Sequence, residues 1–220
     1  MSTRWVGVAV LLACATFLVL VTLAAAHYPG GTWLDRGRAG HSFWENFLCD
    51  LLHAQSLNGA DNRVASRLSR AAMLAMAFAL GAIWLVGPTL SPRRGHAALF
   101  CRALGGVALV ATIALILLPS DRHPAAHAVA VIGATLGGTG ATLALLLVLG
   151  AQPSDRRLAA LGWLAVGLAV GDLALYVSTQ YGGAGLEVST AAIQRIATLV
   201  AVGFAAAVGA GLVRQRKPRS

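Results

Sequence analysis

The sequence predicts an all-α polytopic membrane protein, a six-transmembrane-helix bundle with a short interfacial amphipathic helix between the first two spans. Composition is the first reason. Of 220 residues 57% are hydrophobic and 11% charged, where a soluble domain carries roughly a quarter charged residues. Mean hydropathy is +0.72. The second reason is distribution: the apolar residues fall in six runs, 5–26, 71–90, 97–118, 125–149, 158–177 and 191–213. Each is about 20 residues or longer, enough to cross a ~30 Å hydrocarbon layer. The third is what joins them, short polar stretches with no internal repeat, low-complexity tract or second domain. Residues 1–220 therefore read as a single transmembrane domain.

The first run follows Met1-Ser-Thr-Arg4 and ends in Ala24-Ala-Ala26, small residues that also suit a signal-peptide cleavage site. Its apolar length of about 22 residues exceeds the 7–15 of a secretory signal core. It is read as a retained helix. A turn-rich loop from His27 to Gly40 comes next.

The stretch His41–Arg70 holds most of the unusual chemistry, with Glu45, Asp50 and Asp61, two histidines, three asparagines and three arginines. Ser42-Phe-Trp-Glu45 fits a capping box, which predicts a helix over 42–55. On it Asn46, Asp50 and His53 would share one face at i, i+4 and i+7, with Glu45 and Cys49 flanking. Phe43, Trp44, Phe47, Leu48, Leu51 and Leu52 would cover the rest. Such a helix is too short to span and would lie at the interface or in the bundle mouth. Asn58-Gly59 predicts a turn, and Asp61 or Asn62 a cap for the next helix. Arg63, Arg67 and Arg70 then fall on one face at headgroup depth, where they either snorkel or hold an anionic group.

Between the third and fourth spans stands Pro119-Ser-Asp121-Arg-His123-Pro-Ala-Ala-His127. If the fourth helix starts at Ser120, His123 and His127 share a face. If Pro124 is the first helical residue, His123 becomes the cap and the shared face is lost. Gly133-x3-Gly137 and Gly167-x3-Gly171 are small-residue spacings that allow close helix packing within the bundle. Asp172 and Arg195 are the two ionised groups inside spans, each roughly 10 Å from the same end. A charge at that depth is costly, so the expectation is that they pair, with Tyr176 one turn above Asp172.

Orientation follows from basic residues beside the spans. With the N-terminus in the cytoplasm, that side holds Arg4, Arg93, Arg94, Arg102, Arg156, Arg157, Arg214, Arg216, Lys217 and Arg219, against Arg36, Arg38, Arg63, Arg67, Arg70 and Arg122 outside. Both termini are accordingly expected in the cytoplasm of a cell-membrane protein. The net charge of +9 then reflects topology, and nucleic acid is not an expected partner. Cys14, Cys49 and Cys101 form no paired pattern, so disulfides and thiolate metal sites are not expected.

Glu45, Asn46, Asp50, His53, Asp121, His123, His127, Asp172, Tyr176, Gln194 and Arg195 all fall on the outer side. Scattered polar residues would not share one leaflet, and the expectation is one outward-opening cavity, with Asp50 and His53 turned towards His127. Phe43-Trp-Glu-Asn-Phe-Leu-Cys-Asp-Leu-Leu and Leu118-Pro-Ser-Asp-Arg-His-Pro-Ala-Ala-His resemble the six-helix bacterial membrane proteins classed as domain of unknown function nine-nine-eight, kin of the DRAM and Sfk-type proteins. Asn46, Phe47, Asp50 and Leu51 match the family's Asn-Phe-x-Ser-Asp-Leu, with Cys49 in place of serine, and His127 matches its later histidine. That family implies no particular chemistry. Glu45, Asn46 and His123/His127 also resemble, more faintly, the alkaline ceramidase and progestin-receptor superfamily, with the histidine pair mid-chain and one span fewer.

Three functions suit such a cavity. It binds or moves a lipid or small amphiphile, with membrane lipids as partners and no cofactor. Alternatively it is an intramembrane metal-dependent lipid hydrolase, with zinc on His123, His127 and Asp50 or His53, which requires three protein ligands and an open position. A proton-coupled transporter working through Asp172 is the third. The residues leave open whether catalysis occurs.

Overall fold

In a computed structural model, which describes residues 2–91, 95–149, 156–181 and 187–214, six long helices make up most of the described residues. They are α1 (Thr3–Ala26), α2 (Arg63–Val86), α3 (His96–Leu117), α4 (Pro124–Leu149), α5 (Arg156–Tyr181) and α6 (Glu187–Arg214). All six are long and apolar enough to cross a membrane. Their outer surfaces carry large apolar side chains such as Trp5, Leu12, Val110, Leu147 and Trp163, as lipid-facing helices should, since no water has to be excluded there. This is a multi-pass membrane protein with an all-α, six-helix bundle. Arg93, Arg94 and the basic tail beyond Arg214 lie outside the described residues.

Each helix packs on its neighbours in sequence, and α6 closes back onto α1, so the six form a ring. Glycines set the closest crossings. A methyl group at Gly7 would come 2.5 Å from the Gly209 carbonyl oxygen, and one at Gly137 would come 2.9 Å from the Ala108 nitrogen. Gly133 and Gly137 thus seat α4 against α3. Gly167 and Gly171 differ: a methyl group added at either would meet nothing within 4 Å, so among the described residues that spacing on α5 seats no other helix. The packed end of the ring is built from Phe17, Ile83, Trp84, Leu145, Phe204, Val208 and Leu212. Inside it the indole nitrogen of Trp84 donates to Thr142 Oγ1 at 3.2 Å.

The expected helix over 42–55 does not form. Ser42–Asn46 make one turn, Phe47 is extended (φ −72°, ψ 156°), and a short 3-10 turn covers Leu48–Leu52. The reason lies in the polar residues that suggested the helix. Asn46 Oδ1 accepts the Ser42 backbone N–H at 2.9 Å and Asp50 Oδ2 accepts that of Phe47 at 2.8 Å, and such local bonds compete with helical ones. Glu45 is drawn away to an exposed ion pair with Arg38 at 2.8 Å.

Residues 27–62 therefore form a compact cap over one end of the ring. Gly30 and Gly31 take positive φ, and a methyl group at Gly31 would come 2.5 Å from the Asn58 nitrogen, so this crossing requires glycine. Gly59, at φ 86°, completes the turn expected at Asn58-Gly59. Leu51 and Leu52 plug the ring in opposite directions, Leu51 against Ala24 and Ala65, Leu52 against Leu115 and Ala130. Both are essentially fully buried, which contributes about 1.5–3 kcal/mol each. Helix α2 starts at Arg63, two turns before its apolar run, with Asn62 as its cap residue.

Candidate functional site: two cavities beneath the cap

Asp50 sits at the centre of the cap. Its Oδ1 accepts the Trp33 indole N–H at 3.2 Å, and its Oδ2 accepts from Asn46 Nδ2 at 3.2 Å besides the Phe47 N–H. Asn46 Nδ2 also donates to the Gly31 carbonyl at 2.9 Å, tying the two halves of the cap together. Burial pushes the Asp50 carboxyl above its usual range, while His53 and these donors pull the other way.

The cap reaches the bundle at two places. On α6, Gln194 Oε1 accepts the Leu48 N–H at 2.8 Å. Beside it Arg195 Nη2 donates to the Asn46 carbonyl at 3.0 Å and to His41 Nε2 at 2.8 Å. An arginine cannot accept, so His41 Nε2 must carry the lone pair and the ring is neutral. Burial and the adjacent guanidinium hold its pKa down at about 3. Arg195 also lies over the Phe43 ring, 5.7 Å from its centroid. At the other place His53 Nε2 bonds to Ser120 Oγ at 2.7 Å, and His127 bonds to Cys49. His127 Nδ1 donates to the Leu118 carbonyl at 2.8 Å, which leaves Nε2 as acceptor for the Cys49 thiol at 3.2 Å. Burial, helped by the Asp50 and Asp172 carboxylates, pushes Cys49 up to about 12, so it remains the proton donor of that pair.

Between these two attachments lies a cavity of about 540 Å³. Asp50, His53, Asp121, His127, Tyr176 and Gln194 line it together with Trp33, Arg36, Cys49 and Ser120. Six of the residues singled out from sequence thus face one space, Asp50 and His53 on the same side as His127. Five others stand elsewhere. Asn46 is buried within the cap and Arg195 beneath it. Glu45 is in its surface ion pair. His123 is exposed, because α4 begins at Pro124 and His123 accepts the His127 N–H as its cap.

Asp172 lies lower. The expected Asp172–Arg195 pair is absent: among the described residues the two form no ion pair, Arg195 being committed to the cap while Asp172 Oδ1 is buried with no hydrogen-bond partner. Asp172 instead lines a second cavity of about 210 Å³ inside the ring, walled by apolar side chains that include Met73, Met76, Leu80, Val166 and Phe204. The two cavities use the same helices in register. On α5 Tyr176 lines the upper and Asp172 the lower; on α6 Gln194 the upper and Thr198 the lower; on α4 His127 the upper and Thr135 the lower. Those spacings of four and eight residues place one above the other by one to two helical turns.

Zinc would need three protein ligands around one point. Among the described residues no three His, Cys, Asp or Glu side chains stand close enough to hold one ion, and the residues proposed for it do not fit, since His123 and His127 diverge. Sequence reasoning missed His41, Trp33 and Ser120 as partners; each is an ordinary residue in a loop whose role comes from a neighbour far away in the chain. Comparison with known proteins adds nothing to the site, as no family model, curated protein or solved structure matches the chain.

Proposed function

We propose that this membrane protein binds, and through that binding moves, a lipid or other small amphiphile, with the polar head in the cavity under the cap and the hydrocarbon chain in the one below. The observation that carries the reading is the vertical order of the two cavities, polar and hydrogen-bonding above, apolar below, on the same faces of α4, α5 and α6. An amphiphile is the ligand class whose own polarity changes in that order. A volume of about 540 Å³ is within the range of small-molecule sites, roughly 300–1,000 Å³. The balance of basic residues supports a cell-membrane setting with both termini in the cytoplasm and the cap outside, and the resemblance of the Phe43–Leu52 and Leu118–His127 segments to a six-helix bacterial family is consistent with it. The metal-dependent hydrolase reading stands lower because its ligands do not converge. A proton-coupled transporter would normally show broken helices at its site, and α4, α5 and α6 run unbroken past both cavities.

The test is binding of a fluorescent single-chain lipid analogue to purified protein, against Ala169→Phe, which fills the lower cavity. The expected outcome is a loss of at least about tenfold in affinity, the scale of several buried methylenes denied their site. Equal binding by parent and variant would place the chain elsewhere and overturn the reading.

A further inference from the structure

The lower cavity is mostly apolar, and two of the polar groups that line it are not explained by the amphiphile reading alone. Asp172 on α5 and Thr139 on α4 both line it, and Asp172 Oδ1 and Thr139 Oγ1 are both buried without a hydrogen-bond partner among the described residues. Buried polar atoms are normally satisfied, and a carboxylate at this depth needs a cation or a proton. Of the spans' own cations Arg195 was the expected one, and its Nη2 is taken by His41 and the Asn46 carbonyl. Two unused oxygens on α4 and α5, one of them acidic, in a cavity lined for the rest mostly by hydrocarbon, with the hydroxyls of Thr112, Thr135, Thr142 and Thr198, describe the complement of a donor group carried on a chain.

We infer that Asp172 and Thr139 form a recognition point for a protonated amine, and that the amphiphile carries a primary or secondary ammonium on its chain, below the polar head that the upper cavity takes. This rests on the amphiphile reading and deepens it. The ammonium supplies positive charge to Asp172 and N–H donors to both oxygens, and a primary ammonium has three such donors. A fatty acid would place its own charge against Asp172. An alcohol could donate one hydrogen bond but would leave the charge unmet. A quaternary ammonium would supply charge and no donor.

The experiment compares dodecylamine, dodecanol and dodecyltrimethylammonium as competitors for the fluorescent analogue at pH 7. Parent protein is expected to bind the amine at least about tenfold tighter than the alcohol, the scale of one charge-assisted hydrogen bond, with the quaternary ammonium between them. In Asp172→Asn the amine-to-alcohol ratio should fall to within about twofold, the remaining amide hydrogen bond being neutral. Thr139→Val keeps the charge and should lower the ratio by about threefold. It serves as an independent variant should Asp172→Asn fail to fold. Equal binding of amine and alcohol by parent protein overturns the inference while leaving the amphiphile reading intact. A ratio that survives both substitutions overturns it too. If none of the three competes, both readings fall.

Discussion

The cap and the interior of the ring each bury a carboxyl and treat it in opposite ways. In the cap, Asp50 accepts three hydrogen bonds, Asn46 makes three, and the single buried cation from α6 is spent on His41 and a backbone carbonyl. A few turns below, Asp172 and Thr139 keep buried oxygens that nothing in the described chain satisfies. The buried carboxyl of the cap is thus satisfied by the chain and that of the interior is not, although the cap also leaves Asn62 Oδ1, and its docking residue Arg195 leaves Nε, without a partner among the described residues. A buried polar network that is satisfied rigidifies a protein, whereas a buried polar group left unpaired costs stability.

The largest test of that contrast is Arg195→Met. It leaves His41 Nε2 and the Asn46 carbonyl without their donor, at a cost of about 3 kcal/mol for two charge-assisted bonds. The cap should loosen, so trypsin should cut within residues 27–62 markedly faster than in parent protein. Unchanged cleavage would mean that Arg195 does not dock the cap.

Acid should have the next largest effect. The His41 pKa is depressed to about 3 from 6.5, so the loosened state takes up a proton that the docked state refuses. Stability from this source is fully present above about 6.5 and is lost as pH falls towards 3, by at most about 1.4 kcal/mol per unit. Asp50, raised by burial, contributes the opposite slope, so the informative quantity is the difference between proteins. His41→Gln keeps an acceptor for Arg195 and does not titrate, so its thermal stability should fall less between pH 7 and pH 5 than that of parent protein. Parallel curves would refute this assignment.

Asp172→Ala gives the smallest effect and the sharpest contrast. Removing an unsatisfied buried carboxyl should leave stability unchanged or raise it by about 1 kcal/mol. Combined with Arg195→Met, the effects should add within about 0.5 kcal/mol, as for residues without shared partners. A strong coupling in this double-mutant cycle would restore the ion pair expected from the spans.

How much of this could be read from the chain varies with the kind of interaction. Hydrophobic runs located α3 and α4 to within one residue at each end, because crossing a bilayer imposes a length on the sequence itself. The start of α2 was hidden, since Arg63–Arg70 interrupt the apolar run while the helix continues through them. Within the site, the common side of Asp50, His53, Asp121, His127 and Tyr176 was legible from topology. Their partners were not. A helix over 42–55 was the natural reading of Ser42 to His53, and it fails because Asn46 and Asp50 bond to backbone, which residue spacing does not reveal. Asp172 and Arg195 were the obvious pair by depth, yet Arg195 bonds to His41, 154 positions earlier, and nothing local to either residue records that.

The docking of the cap on α6 has one further consequence. Gln194 takes the N–H of Leu48 and Arg195 gives to the C=O of Asn46, so two neighbouring side chains of the helix grip main-chain groups two residues apart. The half-exposed Leu48 side chain takes no part in that grip and packs instead against the cluster of Ala24, Tyr28, Leu51 and Ala65. On the helix the opposite holds: position 194 must present an acceptor and position 195 a donor. The instructions for docking the cap are therefore written almost entirely on one partner: substitutions at positions 194 and 195 break the grip itself, whereas another apolar residue at position 48 keeps it.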